Sequence, residues 1–165
     1  MNIAKFCATL LPLILLSRGV IAQEVGEKGS WSAHVTADAC FNTTAPSHSE
    51  GSLPGRGAPY FAVADHPREG LEDAVTVGSG YADADGSSAT LSVDGGKSFN
   101  LLPFGNAAFV EGSIEPELVS KLLTAKHVTV TWTTPSGGKI VDHYRMAGFQ
   151  ATRSLVKSGC PKVGG

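Results

Sequence analysis

Residues 127–133 read HVTVTWT. Val128, Val130 and Trp132 alternate with Thr129, Thr131 and Thr133, so one face of an extended segment is apolar and the other hydroxylated, as in a half-buried strand. Thr134 to Gly138 then break the run, and Ile140 to Met146 forms a partner strand. The hairpin carries a cluster of Asp142, His143, Tyr144 and Arg145. A second hairpin reads from Leu91 and Val93 through Asp94, Gly95 and Gly96 to Phe99 and Leu101, with the glycines supplying positive φ. Trp31 to Val35, Tyr60 to Ala64 and Asp73 to Tyr81 are further strands. Two segments depart from this pattern. Pro116 to Lys126 places Pro and Glu117 in a first helical turn, with Leu118, Val119, Leu122 and Leu123 as one stripe. Phe149 to Lys157 is the second helix, stopped by Gly159 and Pro161. The spacing predicts a mainly β chain, an immunoglobulin-like β-sandwich with one or two short helices, a closed barrel being the alternative. Asn42 to Gly57, rich in Ser, Pro, Gly and His, reads as a long surface loop containing the sequon Asn42-Thr43-Thr44.

The first 22 residues have a different character. Lys5 supplies a positive charge, Phe6 to Leu16 an apolar run about half as long as a membrane span, and Val20 and Ala22 the residues a signal peptidase reads. We expect a cleavable signal over residues 1–22 and a single domain over 23–165, the alternative being a retained anchor, since Arg18 is unusual in a signal. Cleavage removes Lys5 and Arg18, leaving 11 basic against 15 acidic residues, a net charge of −4. With no basic stripe, the chain lacks the electrostatic footprint of a nucleic-acid or anionic-membrane binder. Cys7 lies within the signal, which leaves Cys40 and Cys160. Two cysteines in an exported chain read as one disulfide. A metal site, which no nearby His spacing supports, and two free thiols are the competing readings.

The candidate chemistry is sparse. Asp83, Asp85 and Gly86 resemble a calcium loop only superficially, because the first and last ligand positions would fall on Tyr81 and Ser92. Gly78-Ser79-Gly80 meets Asp83 where a nucleotide-binding loop needs its third glycine. Asp65 precedes His66 and Asp142 precedes His143, but neighbours on a strand point to opposite faces, and no G-x-S-x-G elbow supplies a serine. Both pairs read as ordinary surface or turn residues rather than as catalytic dyads. The five histidines form no ligand-spaced pair, so neither a metal nor a cofactor is indicated. Asp142 shares its face with the apolar Ile140, Tyr144 and Met146, so its carboxylate needs a buried partner. Loop amides or an arginine such as Arg56 would make it structural; contact with a ligand is the other reading. Asp142, His143, Arg145 and Arg56 are therefore the possible binding residues, and none is assigned a catalytic role.

Several short segments, in order, resemble the invasion-associated locus B family of small exported proteins of Gram-negative bacteria. They are Trp31; Cys40, Phe41, Thr44 and Pro46; Ala58 to Phe61 with Val63; Gly80 and Tyr81; Val93, Asp94, Gly95 and Phe99; Asn106 to Phe109; Asp142, Tyr144, Gly148 and Phe149; and Cys160. Phe109 stands where the family tends to have Trp, Met146 replaces a leucine, and Thr134 to Gly138 replace its usual turn. The resemblance implies a periplasmic or secreted, non-enzymatic envelope protein linked to host-cell entry, whose partner is an envelope or host-surface protein. The alternative is a periplasmic ligand-binding domain or small hydrolase, which would gather His143, Arg145 or His66 in a deep pocket.

Overall fold

The computed structural model describes residues 22–51, 54–81 and 86–161, so the expected signal and the residues around Asp83 and Asp85 lie outside the described residues. The strands are β1 (Gln23–Lys28), β2 (Trp31–Val35), β3 (Cys40–Thr44), β4 (His48–Glu50), β5 (Tyr60–His66), β6 (Leu71–Gly78), β7 (Ser88–Val93), β8 (Ser98–Phe104), β9 (Ala107–Val110), β10 (His127–Thr133) and β11 (Lys139–Arg145). Helices α1 (Glu115–Leu122) and α2 (Phe149–Gly159) complete the fold, with a single 3-10 turn at Pro67–Glu69. Among the described residues the chain is mainly β, with two short α-helices and one disulfide.

All eleven strands form one antiparallel sheet, in the order β1-β2-β3-β5-β6-β9-β8-β7-β10-β11-β4. The sheet folds over so that its two halves supply the facing layers of a sandwich. The fold-over is visible in the core, where Trp31 on β2 donates its indole N–H to the Arg145 carbonyl on β11 at 2.9 Å. Trp31 also meets Phe149 of α2 edge-on at 4.8 Å and Phe61 of β5 at 5.7 Å, and Phe61 lies 5.5 Å from Tyr144. Inward residues from both halves, including Val63, Val77, Leu91, Val128, Val130 and Ile140, join these rings in one buried cluster. Burying each such side chain contributes about 1.5–3 kcal/mol.

The β10–β11 hairpin is paired from His127↔Arg145 to Thr133↔Lys139, and β10 also pairs with β7, so the alternation in HVTVTWT places its valines and tryptophan inside. Helix α1 ends at Leu122, four residues before the expected end. Leu118, Val119 and Leu122 are buried as predicted, but Leu123 is exposed. In α2 the buried residues are Phe149, Thr152, Arg153 and Val156, while Ala151 is exposed and Leu155 partly buried. Helix α2 packs on β1, β2 and β3. Its end is tied to β3 by the Cys40–Cys160 disulfide, with the two Cα atoms 5.6 Å apart.

The loop expected over 42–57 contains structure. Asn42 and Thr44 belong to β3 and face inward, and β4 forms a short edge strand on β11 at Val141, Asp142 and His143. Inside the sheet, Asn42 donates to the Thr152 hydroxyl while its Oδ1 is buried without a partner, and Thr44 donates to the Ser30 carbonyl. Asn42 is fully buried, and the folded domain does not present its sequon.

The β1–β2 turn meshes with the start of α2 through Gly148, which has φ +100°. A Cβ on Gly148 would stand 2.0 Å from the Lys28 carbonyl oxygen. Glycine is therefore required for two reasons, its positive φ and the contact itself. We predict that Gly148→Ala destabilises the domain by more than ~1 kcal/mol, read as a lower midpoint in denaturant unfolding; an unchanged midpoint would show that the turn can move aside.

Candidate functional site

Position 142 on β11 points into the core, as its apolar companions Ile140 and Tyr144 require. The Asp142 carboxylate is fully buried and meets Arg56 in a two-pronged pair, with Nη1 to Oδ1 at 3.0 Å and Nη2 to Oδ2 at 2.5 Å. Ser49 on β4 donates to Oδ1 at 2.6 Å, and Arg56 Nε donates to the Ser79 carbonyl at 2.9 Å. The Arg56 guanidinium also lies 5.8 Å from the centre of the Tyr81 ring. Arg56, in the segment before β5, is thereby tied both to Asp142 on β11 and to the Ser79 carbonyl just beyond β6. The planar, doubly bonded geometry suits arginine over lysine.

The other two proposed binding residues are not part of this pair. His143 is on the outward face, where Nε2 lies 3.0 Å from Glu50 Oε1 and the ring stacks on His48 at 5.8 Å. Arg145 is exposed, and only its carbonyl reaches the core, through Trp31. The structure thus brings Asp142 to Arg56 and separates both from His143 and Arg145. Tyr144 lies beneath them, its phenol pushed to higher pKa first by burial and then by the Asp142 charge, with Arg56 opposing.

A second buried charge cluster was not expected from the sequence. Asp65 is 4% exposed rather than a surface residue, and it accepts from Arg153 Nη2, from Lys157 Nζ at 3.1 Å and from the Asp73 amide at 2.8 Å. Arg153 also donates to Asp73 through Nε at 2.9 Å and through Nη2, and Lys157 reaches Glu72 at 3.1 Å. Burial pushes the Asp65 pKa upward, but the Asp73 amide, Arg153 and Lys157 outweigh it, and the carboxyl is held below its ordinary value. Lys157 is lowered by burial and raised more by Asp65 and Glu72, ending above its ordinary value. The cluster borders an open cavity of about 410 Å³ lined by Asp65, Pro67, Leu71, Glu72, Lys157 and Cys160. Neither His66 nor His143 nor Arg145 lines it. Nearby, Glu115 at the start of α1 accepts the Val75 amide at 2.7 Å, at the point on β6 where pairing with β9 has ended. Its pKa is raised by burial, with the Val75 amide opposing and Asp73 adding to the rise. Among the described residues no group of three or more His, Cys, Asp or Glu side chains is arranged to hold a metal ion.

The remaining distinctive surface is the outward side of the half-sheet from β2 to β8. The paired rows Thr43–Ala62–Thr76–Phe109–Leu102 and Tyr60–Gly78–Ala107–Phe104 run across five and four strands respectively. Leu102 is 57% exposed, Phe104 77%, Phe109 40% and Tyr60 37%. These two rows contain no charged residue, and neither does the next one, His34–Phe41–Ala64–Ala74, where the His34 and Phe41 rings stack at 5.0 Å. Only the strand order shows that these positions share one contiguous face.

With the fold and these sites established, the chain falls into the class of small disulfide-closed β-sandwich domains with a C-terminal helix packed over the first strands. Its fold is that of a particular solved protein, the invasion associated protein B from Bartonella henselae, with a TM-score of 0.54 over 84% of this chain and 96% of that one, at 16% sequence identity. No protein-family model matches the chain, and no curated protein matches it in sequence. The residues that carried the resemblance have structural work to do: Trp31, Tyr144 and Phe149 in the core, Asp142 in the ion pair, Gly148 in the turn contact and Cys40 with Cys160 in the disulfide.

Two predictions follow from the buried charges. Asp142→Asn leaves Arg56 buried without a counter-charge and should cost about 3–5 kcal/mol in chemical denaturation, with Arg56→Met on that background recovering part of the loss. If Asp142→Asn is neutral, the pair is not a fixed point of the fold. Separately, because the folded pKa of Asp65 is depressed, its stabilisation is present above the unfolded value of 3.8 and is lost as pH falls below it. An Asp65→Asn variant should therefore show a weaker decline of melting temperature between about pH 4 and pH 2 than the parent chain; parallel declines would exclude Asp65 as a major acid-labile contact.

Proposed function

We propose that the chain is an exported, non-enzymatic protein of the bacterial envelope, periplasmic or secreted, that works by binding other proteins through its surface. The observation that carries this reading is the charge-free outward face with Leu102, Phe104, Phe109 and Tyr60 exposed on it. Apolar faces of this kind mark contact surfaces. The shared fold with invasion associated protein B supports an envelope setting and, through it, a role connected with host-cell contact. Among the described residues no helix is long and apolar enough to cross a membrane. The buried carboxylates also favour binding over turnover, since Asp142 and Asp65 spend their hydrogen-bonding capacity on Arg56, Ser49, Arg153 and Lys157.

The test uses intact cells producing the full chain with a photo-cross-linking residue at position 104, and at position 90 on the hydroxylated outward side of the neighbouring β7 as control. We predict that the protein lacks residues 1–22, fractionates with the periplasm or medium, and forms discrete adducts from position 104 more than from position 90. A cytosolic protein that keeps residues 1–22 would overturn export. An exported protein without adducts from position 104 would overturn the role of this face. His143→Ala and Arg145→Ala, introduced in the same cells, should leave those adducts unchanged because both residues lie on another part of the sheet.

A further inference from the structure

The two halves of the disulfide have unlike surroundings. Cys40 is fully buried in a small cluster with Ala33 and Val156, against which Val35 and Leu155 also pack. Cys160, just past the end of α2, is partly exposed and lines the open cavity of about 410 Å³ beside Asp65, which Cys40 does not line. Thiol–disulfide exchange begins when a thiolate attacks one sulfur, in line with the S–S bond, and expels the other. An approach to Cys40 on that line is blocked by the apolar cluster behind it, whereas an approach to Cys160 comes from the side of the cavity. We propose that Cys160 is a modification site, at which the folded chain takes up a low-molecular-mass thiol of the cysteine-peptide class as a mixed disulfide.

In this step the entering thiol releases its proton to solvent and its sulfur bonds to Cys160 Sγ. The Cys160–Cys40 bond breaks, and its electron pair leaves on Cys40 Sγ, which takes up a proton. The entering thiol is oxidised to the mixed disulfide and Cys40 is reduced, so the exchange needs no other oxidant or reductant. Both ends of the broken bond suit their new states. A neutral thiol behaves as a small hydrophobic side chain, at home among Ala33, Val35 and Val156. The group on Cys160 enters a cavity with apolar walls at Pro67, Leu71 and Pro161, where Leu71 is 41% exposed and gains cover. On its polar side Lys157 stands between Asp65 and Glu72, so charges of both signs line the cavity. A cysteine-containing amino acid or short peptide, carrying an ammonium and a carboxylate, complements that mixture. Helix α2 does not rely on the disulfide alone for its place. Arg153 and Lys157 tie it to Asp65 and Asp73, and Gly148 seats its start against Lys28, so the helix stays docked while the sulfurs exchange.

The test uses glutathione and the purified protein with Cys7→Ser, so that Cys40 and Cys160 are its only cysteines. Adding Cys40→Ser removes the sulfur that would expel the adduct. Incubated with oxidised glutathione, this variant should gain a single glutathione on Cys160, located by peptide mass. Its companion, Cys160→Ser, should react at Cys40 at least about tenfold more slowly while folded, and as fast as the first variant once urea unfolds both. Equal rates in the two folded variants, or a faster Cys40, would overturn the proposal. A second measurement keeps both cysteines and so does not depend on the single-cysteine variants folding. The intact disulfide should open in reduced glutathione at a rate that low urea leaves unchanged. Leu71→Trp, an exposed substitution that fills the cavity, should slow that opening several-fold without altering thermal melting. A rate that climbs from the lowest urea concentrations assigns the exchange to unfolded molecules, and an unaffected rate in Leu71→Trp assigns it to another route; either result overturns the proposal.

Discussion

The fold depends on one seam, the contact of Trp31 with the far end of the sheet. An eleven-strand sheet could remain open, with each half exposing an apolar face to water. Trp31 prevents that by lying where β2, β5, β11 and α2 meet, its ring against Phe61 and Phe149 and its indole N–H on the Arg145 carbonyl. A large apolar ring with a single donor suits this position, since most of its surface is buried while its polar atom finds a carbonyl. The facing layers, the position of α2 and the burial of Asp142 all follow once the two ends of the sheet are held together.

Polar groups inside the sandwich set its loops. Asp142 cannot be buried alone, so Arg56 is held against it, and Ser49 on the short β4 joins them. Asp65 imposes a similar demand on α2, which answers with Arg153 and Lys157. In both places a carboxylate on a rigid strand attracts a cation from a less regular or later element. A buried pair of this kind adds little net stability against an apolar substitute, but losing one member is costly. The two ion pairs therefore act more as positional constraints than as sources of stability.

Much of this was legible in the chain. Strand patterning located β2, β5, β6, β7, β8, β10 and β11, with inward apolar and outward hydroxylated residues alternating most clearly in β7 and β10. Asp142 stood out because it breaks the apolar series of its own face, and an arginine partner was the physical remedy. β3 escaped notice because its inward residues after Cys40 are Asn42 and Thr44, so its alternation carries no hydrophobic contrast. A reader could have noticed that Cys, Asn and Thr recur every second residue beside an established strand. The Asp65 cluster was hidden for another reason: Arg153 lies 88 residues from Asp65 and 80 from Asp73, and a buried stripe containing Thr152 and Arg153 looks polar in sequence. The contiguous apolar face depends on strand order, which local periodicity does not encode.

Helix α2, the last described element, lies across the first three strands, and Trp31 reaches a carbonyl 114 residues away. No N-terminal portion can therefore complete its core before the final helix is available. Such high contact order slows folding, since long loops must close before their contacts stabilise anything. Under the export proposed above, that delay would be an advantage: strands threaded lengthwise through a narrow channel would remain unfolded and passable until α2 has followed them.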